Sequence, residues 1–373
     1  MKNTFGQAIS VTIFGESHGE CIGAVIDGIC GGIEIDYGFI DEQLKKRRPS
    51  SGAETARVEA DNYKIVSGVF EGKTTGTPIA IIIPNENKHS KDYSKIKSIA
   101  RPSHADYTAN CKYGGYQDYR GGGHFSGRIT VALVCAGAIL IKALKGLNIE
   151  IATHILTCAG VEDRPFSQNE GELLSDILKI QNKKNGEFFL LNDVETEMYN
   201  KIMEAKSDGD SVGGKTETVI YGMPCGVGEP WFDSVEGLLS HALFSIGGIK
   251  GVEFGKGFDL ADMRGSLAND ELYIDNDGKV KTKTNNNGGI NGGITNGMPI
   301  TFSCAVKPTP SISKKQESID FERLENTEIK IEGRHDPAII RRACVVIDSV
   351  SAIVACDLLA QRYGQEVFRK GIN

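Results

Sequence analysis

The sequence predicts an α+β fold in which strands and buried helices share one core. Strand-like segments occur in both halves of the chain, some with alternating polarity and some with continuous branched apolar residues. Two long apolar segments have the length and composition of buried helices. No internal repeat is evident, and the polar, helix-rich segment at residues 166–207 contains no linker. We therefore expect residues 1–373 to form one domain.

The N-terminal half contains three predicted strands. Ile9–Phe14 alternates polar and apolar residues up to Gly15, and Cys21–Ile26 resumes a strand-like pattern. The motif GESHG, residues 15–19, is therefore predicted on the loop that joins two strands. Residues 79–83 (IAIII), which are bounded by prolines, have the length and branching of a buried strand.

Two helices are predicted in the same half. Asp41 is placed to cap a short helix that ends in the basic run Lys45–Arg48. The sequence GGGHFSGR, residues 121–128, opens an apolar helix that ends near Gly146, and a glycine run before a helix N-terminus suits anion binding. The apolar stretch of this helix, Ile129–Ile141, is shorter than the ~20 residues that a membrane span requires. We expect a buried core helix here.

The C-terminal half has the same mixture of elements. Strands are predicted at residues 216–222 and 301–306, and a long apolar helix begins at Asp336-Pro337 and extends to about Tyr363. Residues 285–297 (NNNGGINGGITNG) have the composition of a flexible linker. Because a strand follows them directly, these residues have a second interpretation, as a loop that becomes ordered on binding.

Composition and charge exclude several classes of function. The net charge of −7 and the pI near 5.6 oppose general binding to nucleic acid or to an anionic membrane, which requires a positive field. Nine cysteines without a CxxC pair are typical of a reduced cytosol, and no secretory leader precedes Phe5. The seven histidines show no HxH or HExxH spacing, so we expect no metal ion. The predicted localisation is cytoplasmic.

Two short motifs suggest alternative enzymes, although their flanks oppose both. Gly209–Thr216 fits GxxxxGK[ST], which would make Lys215 the phosphate-binding lysine of a P-loop nucleotide enzyme. A P-loop follows a strand and precedes a helix, whereas here a helical stretch precedes the motif and a strand follows it. Gly15–Gly19 fits GxSxG, which would make Ser17 the nucleophile of a serine hydrolase, yet this motif leads into a strand instead of a helix.

His18 and His104 are the main candidates for proton transfer. Each lies on a predicted loop, His18 within GESHG and His104 within RPSHADYT. Ser17 lies beside the first histidine, and Arg101 and Asp106 lie beside the second. Taken alone, either histidine is better interpreted as a structural or surface residue. Their polar neighbours, together with arginines elsewhere in the chain, favour an active site that binds a small, multiply anionic substrate.

Six motifs, in their order along the chain, resemble those of the chorismate synthase family. They are GESHG with Gly23 and Asp27-Gly28 after it, RPSHADYT, YRGGGxxSGR, HALFSIGGIKGVEFG, KPTPS and GRHDP. The resemblance extends from Phe5 to the helix beyond Asp357. It implies a β-α-β sandwich whose helices are buried between antiparallel sheets. It also implies a homotetramer in which a neighbouring subunit helps to shape each flavin site.

The resemblance further implies a reaction. The family converts 5-enolpyruvylshikimate-3-phosphate to chorismate and phosphate by a 1,4-anti elimination that requires reduced FMN without net redox change. This is the last common step of aromatic amino acid biosynthesis. By the same resemblance His18 donates a proton to the departing phosphate, His104 acts on the reduced flavin, and Asp336 assists proton transfer near flavin N5.

Two sets of binding residues are implied as well. A substrate with two carboxylates and a phosphate requires several fixed cations, and arginine offers planar, bidentate hydrogen bonds to them. The implied substrate contacts are Ser17, Arg47, Arg48, Arg128 and Arg334. The implied flavin contacts are His124, Phe125, Ser126, Gly247, Gly248, Gly292, Lys307, Pro308, Thr309, Pro310, Ser311 and Arg334.

Three departures from the commoner family pattern bear on cofactor binding. His124-Phe125 replaces Arg-Ser, Gly247-Gly248 replaces Asn-Ala, and the second basic residue of the loop after the first helix falls near Ala53. Arg47 is therefore the candidate contact for NADPH. Because the chain has no GxGxxG fingerprint, we expect a separate flavin reductase to supply reduced FMN.

Overall fold

The computed structural model describes residues 3–50, 52, 54, 60–86, 97–331 and 336–372. The strands are β1 (Thr4–Phe5), β2 (Ser10–Gly15), β3 (Cys21–Asp27), β4 (Lys64–Ser67), β5 (Val69–Phe70), β6 (Lys73–Thr74), β7 (Ile79–Pro84), β8 (Glu150–Cys158), β9 (Val161–Glu162), β10 (Gly214–Tyr221), β11 (Ile249–Phe254), β12 (Leu272–Ile274), β13 (Val280–Thr282), β14 (Ile290–Asn291), β15 (Ile294–Thr295), β16 (Ile300–Val306), β17 (Gln316–Asp320) and β18 (Glu325–Ile329). The helices are α1 (Tyr37–Arg47), α2 (Asp106–Tyr113), α3 (Thr130–Lys145), α4 (Glu170–Gln181), α5 (Glu195–Ser207), α6 (Val235–Leu243), α7 (Gly265–Ala268), α8 (Ile340–Tyr363) and α9 (Val367–Lys370).

Two five-stranded antiparallel sheets enclose the core. The first sheet has the strand order β1-β2-β3-β7-β4, and the second has the order β11-β16-β10-β8-β9. Side chains alternate between the two faces of a strand. In β7, for example, Ile79, Ile81 and Ile83 are fully buried while the residues between them are not. This alternation directs one face of the first sheet into the core.

Helices α3 and α8 lie between the two sheets. They pack against each other, and α3 also contacts β3 and β7 of the first sheet while α8 contacts β8 and β10 of the second. By length and composition both could cross a membrane, but 78% of the most apolar window of Gly127–Lys145 and 94% of that of α8 lie inside the protein. They are therefore core helices. The predicted sandwich of helices between antiparallel sheets is confirmed.

The contact between α3 and α8 requires a glycine. A Cβ atom on Gly137 of α3 would lie 2.3 Å from the Cβ of Ser349 on α8, far inside van der Waals contact. The buried hydroxyl of Ser349 donates a hydrogen bond to the carbonyl of Val345 at 2.8 Å, so this polar group has a partner inside the helix interface. The two helices can therefore approach this closely only because Gly137 has no side chain.

Most predicted elements are confirmed, and two helix starts are corrected. The strands on either side of GESHG form the antiparallel pair β2 and β3. Helix α1 begins about one turn earlier than predicted because Asp36, and not Asp41, caps it by accepting the Phe39 N–H at 2.9 Å. The long C-terminal helix begins at Ile340, after a short irregular segment that follows the Asp-Pro pair.

The P-loop interpretation of Lys215 is wrong. Lys215 lies within β10 and forms an ion pair with Glu253 on β11. Its motif follows helix α5 and leads into a strand, so no helix N-terminus points at it. A phosphate at this position would lack the converging amides that define a P-loop.

Residues 285–297 form ordered structure, so their interpretation as a flexible linker is wrong. The Asp270 carboxylate accepts the N–H groups of Asn286 at 2.7 Å and Asn287 at 2.9 Å. Strands β14 and β15 then form a hairpin with Gly292 and Gly293 at its turn. Both glycines have positive φ, +62° and +86°, as a two-residue turn of this kind requires.

Gly137→Ala is expected to destabilise the protein by about 1–3 kcal/mol, because the added methyl group must push α3 and α8 apart. Urea unfolding followed by circular dichroism measures this change. Gly171→Ala is the matched control, since Gly171 is exposed on α4 and a Cβ there would have no neighbour closer than 3.5 Å. Equal unfolding midpoints for the two variants would contradict the close helix contact.

Candidate active site

A cavity of about 300 Å³ lies where the end of α1, the segment before α3 and the start of α8 meet. The predicted site residues that line it are Arg47, Arg48, His104, Ser126, Arg128, Gly247, Thr309, Ser311 and Asp336. Further lining residues are Pro49, Asp61, Arg101, Gly121, Gly127, Thr130, Ile246, Ile339, Arg342, Ala343 and Val346. The described lining residues include five arginines and two aspartates, which leaves three positive charges in excess among them. The cavity therefore favours a ligand with several negative charges.

Three of the arginines surround one buried carboxylate. Asp61 Oδ2 lies 3.3 Å from Arg47 Nη2 and 3.5 Å from Arg48 Nε, and Asp61 Oδ1 pairs with Arg128 Nη1. Burial alone would raise the pKa of Asp61, but the charges of Arg47 and Arg128 outweigh burial and hold this pKa below its ordinary value. Burial lowers the pKa of Arg47 to about 10, and Asp61 opposes that change. Asp61 and Arg47 are therefore both charged near neutral pH.

Arginines at the start of α8 hold the end of α1 in place. Arg342 donates from Nη1 to Asp336 Oδ2 and from Nε to the carbonyl of Arg47, both at 2.9 Å. Arg341 donates from Nη2 to the carbonyl of Arg48 at 2.7 Å. The last carbonyls of a helix have no partner within it, so these guanidinium groups satisfy them. The same contacts fix the backbone from which Arg47 and Arg48 reach the cavity.

His104 forms a triad with Arg101 and Asp106. Its Nδ1 lies 2.9 Å from Asp106 Oδ1, and Arg101 donates from Nη2 to Oδ1 at 2.7 Å and from Nε to Oδ2 at 2.8 Å. Burial would raise the pKa of Asp106, but hydrogen bonds from Arg101 and His104 outweigh burial and hold this pKa well below its ordinary value. Arg101 Nη2 also lies 3.0 Å from His104 Nδ1, but the Asp106 carboxylate, which only accepts hydrogen bonds, is closer at 2.9 Å and favours a proton on Nδ1. The other ring nitrogen, Nε2, takes no part in this triad.

His18 and Ser17 form a buried pair. Ser17 Oγ lies 2.9 Å from His18 Nδ1, and it lies 3.1 Å and 3.2 Å from the carbonyl oxygens of Arg120 and Gly121. With its one hydroxyl proton donated to either of these carbonyls, Ser17 Oγ accepts from His18 Nδ1. A serine nucleophile needs the opposite arrangement, in which the histidine accepts the hydroxyl proton. This geometry opposes the serine hydrolase interpretation.

The glycine run at residues 121–123 brings the two histidines together. A Cβ on Gly121 would lie 2.3 Å from His18 Cε1, and a Cβ on Gly122 would lie 3.2 Å from His104 Cε1. Both glycines also have positive φ, +58° and +84°, which side chains rarely allow. Consecutive glycines thus contact one histidine each. The sequence predicts an anion-binding turn here. In the structure, two adjacent residues of that turn contact the two candidate proton donors, His18 and His104.

Those remaining predicted flavin contacts that the structure describes lie outside the cavity. Phe125 lines a second pocket, of about 30 Å³, that shares His104 with the main cavity. His124 Nδ1 lies 2.7 Å from the carbonyl oxygen of Gly15, and Lys307 Nζ donates to the carbonyl of Ser103 at 2.7 Å.

The other predicted contacts lie further along the chain. Gly248 accepts the Lys307 N–H at 2.9 Å, and Pro308 and Pro310 follow β16. Gly292 is at the turn of the β14–β15 hairpin and does not line the cavity. Arg334 lies outside the described residues.

The cavity lining contains a hydroxyl group whose hydrogen bonds are unmade within the described part of the chain, which fits a phosphorylated cofactor. Thr309 Oγ1 is buried and has no hydrogen-bond partner among the described residues. An unpaired buried hydroxyl costs free energy, and a ligand oxygen would remove that cost. Ser311 lies beside it in the lining, and a Cβ on Gly247 would meet nothing within 4 Å. These residues therefore fit a flat, phosphorylated molecule such as FMN.

Two cavity residues were missed in the sequence. Asp61 stands in a segment without a motif, and nothing in the sequence marks it as the partner of three arginines. Arg342 did carry a signal, because a charged Arg341-Arg342 pair at the start of a long apolar helix is unusual. Both act through contacts between residues far apart in the chain.

Asp106→Asn is expected to remove the preference of the His104 ring for one tautomer. The carboxylate accepts only, whereas the amide can donate as well, so the ring should change from predominantly one tautomer to a mixture of both. Nitrogen-15 NMR of the imidazole measures this. Asp210→Asn, which removes an exposed carboxylate 2.9 Å from Lys314, should leave the His104 signals unchanged. A single unchanged tautomer in Asp106→Asn would contradict the assignment.

Comparison with known proteins agrees with the resemblance. A family model described as chorismate synthase matches residues 9–360. A chorismate synthase of Methanobrevibacter smithii is 48% identical over 358 residues, and one of Methanocaldococcus jannaschii is 46% identical over 367 residues, with 96% of this chain and 96% of each relative covered. A solved crystal structure of chorismate synthase is similar at a TM-score of 0.75 and 29% identity, covering 96% of this chain and 94% of that chain. The chain therefore belongs to the chorismate synthase family and is a lyase.

Proposed function

We propose that the protein converts 5-enolpyruvylshikimate-3-phosphate to chorismate and phosphate by a 1,4-anti elimination that requires reduced FMN. The observation that carries this proposal is the cavity with three positive charges in excess, bordered by the turn that contacts His18 and His104. Two carboxylates and a phosphate on the substrate match that excess. The reaction is the last common step of aromatic amino acid biosynthesis.

The substrate is bound by arginines from two helix ends. Arg48 at the end of α1 and Arg128 before α3 both line the cavity, and Ser17 contacts His18 and the carbonyl of the cavity-lining Gly121. Arginine offers paired N–H groups in one plane, which suits carboxylate and phosphate oxygens. Because these arginines are held by backbone and carboxylate contacts before a ligand arrives, little ordering is needed on binding.

Two histidines divide the proton transfers. Loss of phosphate leaves negative charge on the departing oxygens, and His18 lowers the barrier by donating a proton there. Ser17 holds His18 Nδ1, so Nε2 carries the transferred proton. His104 Nε2 acts in the same way toward the reduced flavin, while Asp106 keeps the proton on Nδ1.

When bound, reduced FMN would supply electron density for the elimination and would accept the hydrogen that leaves C6 of the substrate. Thr309 and Ser311 would hold its phosphate, and Ser126 and Gly247, which line the same cavity, would border its ring. Asp336, positioned by Arg342 at 2.9 Å, assists proton transfer at N5.

We propose that a separate reductase supplies the reduced flavin. Arg47 is the candidate for an NADPH contact, but it is only 4% exposed and its Nη1 donates to Thr130 Oγ1 at 3.3 Å. Its Nη2 pairs with Asp61. A second nucleotide would have to break these buried contacts to reach Arg47, which is costly.

We propose a cytoplasmic homotetramer of single-domain subunits. One continuous hydrophobic core includes residues of both sheets and of the helices between them, which supports a single domain. Trp231 and Phe232 are 86% and 95% exposed, and exposed aromatic groups of this size are typical of subunit interfaces. The position of Gly292 away from the cavity is consistent with a flavin site completed by a neighbouring subunit.

An anaerobic assay tests the function. With reduced FMN and 5-enolpyruvylshikimate-3-phosphate, we expect equal amounts of phosphate and chorismate to form over many turnovers. With oxidised FMN alone we expect none, because the flavin must donate electron density. Equal activity with both forms of the flavin, or none with either, would refute the proposal.

Replacement of the histidines tests their roles. His18→Ala and His104→Ala should each lower kcat by ~10²–10⁴-fold while FMN binding, followed by fluorescence titration, stays close to that of the unaltered protein. His241→Ala is the control, because His241 is an exposed residue outside the cavity. If either variant turned over at the rate of the control, that histidine would have no role in the mechanism.

A further inference from the structure

Asp61 has no part in the chemistry proposed above, yet its carboxylate lies at the centre of the arginine cluster. The side chain is almost completely buried and lies within ion-pair distance of Arg47, Arg48 and Arg128. Carboxylate and phosphate oxygens of a ligand would approach the same guanidinium groups. One anionic position of the cavity is therefore already occupied by the chain itself.

The backbone at Asp61 adapts to this contact. Its φ of +51° lies in the left-handed region, which is uncommon for a residue other than glycine. The preceding residue, Ala60, uses its carbonyl to accept a hydrogen bond from Arg48 Nη2. An unfavourable backbone conformation that delivers a carboxylate to three cations is evidence that the carboxylate is needed there.

We propose that Asp61 is an internal surrogate for one anionic group of the substrate, and that it makes the cavity selective for ligands with several negative charges. Without a ligand, Asp61 holds Arg47 and Arg128 together against their mutual repulsion. A ligand with one anionic group gains little, because those arginines are already paired and Asp61 repels it. A ligand with several such groups also engages Arg48, Arg101 and Arg342, and so displaces Asp61 from the cluster.

Inorganic phosphate is the probe, with no flavin present. Asp61→Asn and Asp61→Gly remove the charge, and both replacements tolerate a positive φ. Isothermal titration calorimetry at low salt should show phosphate binding at least about tenfold tighter in both variants, since one like charge near the ligand is gone. Asp176→Asn is the matched control: it removes a buried carboxylate 2.7 Å from Arg164, far from the cavity lining, and should bind phosphate as the unaltered protein does.

The opposite result would overturn the proposal. That result is phosphate binding that is unchanged or weaker in both Asp61 variants. Asp61 would then only orient the arginines, and a ligand anion would not replace its carboxylate. If the variants are too unstable for calorimetry, the rise in Tm on adding phosphate gives the same comparison, because it grows with affinity for the folded state. The proposal expects a larger rise in the variants, and an equal or smaller rise refutes it.

The proposal rests on the proposed function only for the identity of the multiply charged ligand. Phosphate binding requires neither flavin nor turnover. Its outcome is therefore separate from that of the anaerobic assay.

Discussion

The close crossing of α3 and α8 at Gly137 is the constraint on which the active site depends. Each helix is packed against a different sheet, so their separation sets the distance between the two halves of the sandwich. The segment before α3 carries Arg128, and the first turn of α8 carries Arg342. Arg342 in turn holds the end of α1, from which Arg47 reaches the same cavity. Apolar packing thus determines where the charges lie.

Arginines buried this close together require carboxylates nearby to balance their positive charges. Asp61 and Asp336 balance the arginine charges among the residues that line the cavity, and Asp106 balances Arg101 next to His104. Each of these carboxylates pairs with an arginine. Among the described residues that line the cavity, three positive charges remain in excess for a ligand. The proposed chemistry rests on this arrangement, because it assigns the hold on the substrate to the arginines and the proton transfers to the two histidines.

The sequence predicted the local features of the fold well and the long-range contacts poorly. Strand alternation around GESHG and the apolar run of α3 were sufficient to place those elements, because their periodicity reflects which side is buried. The start of α1 was misplaced by about one turn, since both Asp36 and Asp41 are plausible caps and only tertiary contacts select between them. Asp61 could not be predicted, because its partners lie 13, 14 and 67 residues away and no spacing rule connects them. The sequence predicts His18 and His104 as separate candidates, but their arrangement around a glycine run required the structure.

A crystal structure of the chain with FMN and 5-enolpyruvylshikimate-3-phosphate would test the central claim most directly. The account predicts that the anionic groups of the substrate lie within hydrogen-bonding distance of Arg48 and Arg128, with Asp61 moved away from the cluster and His18 beside the phosphate. A substrate bound elsewhere, or bound in this cavity with the phosphate remote from His18, would contradict it.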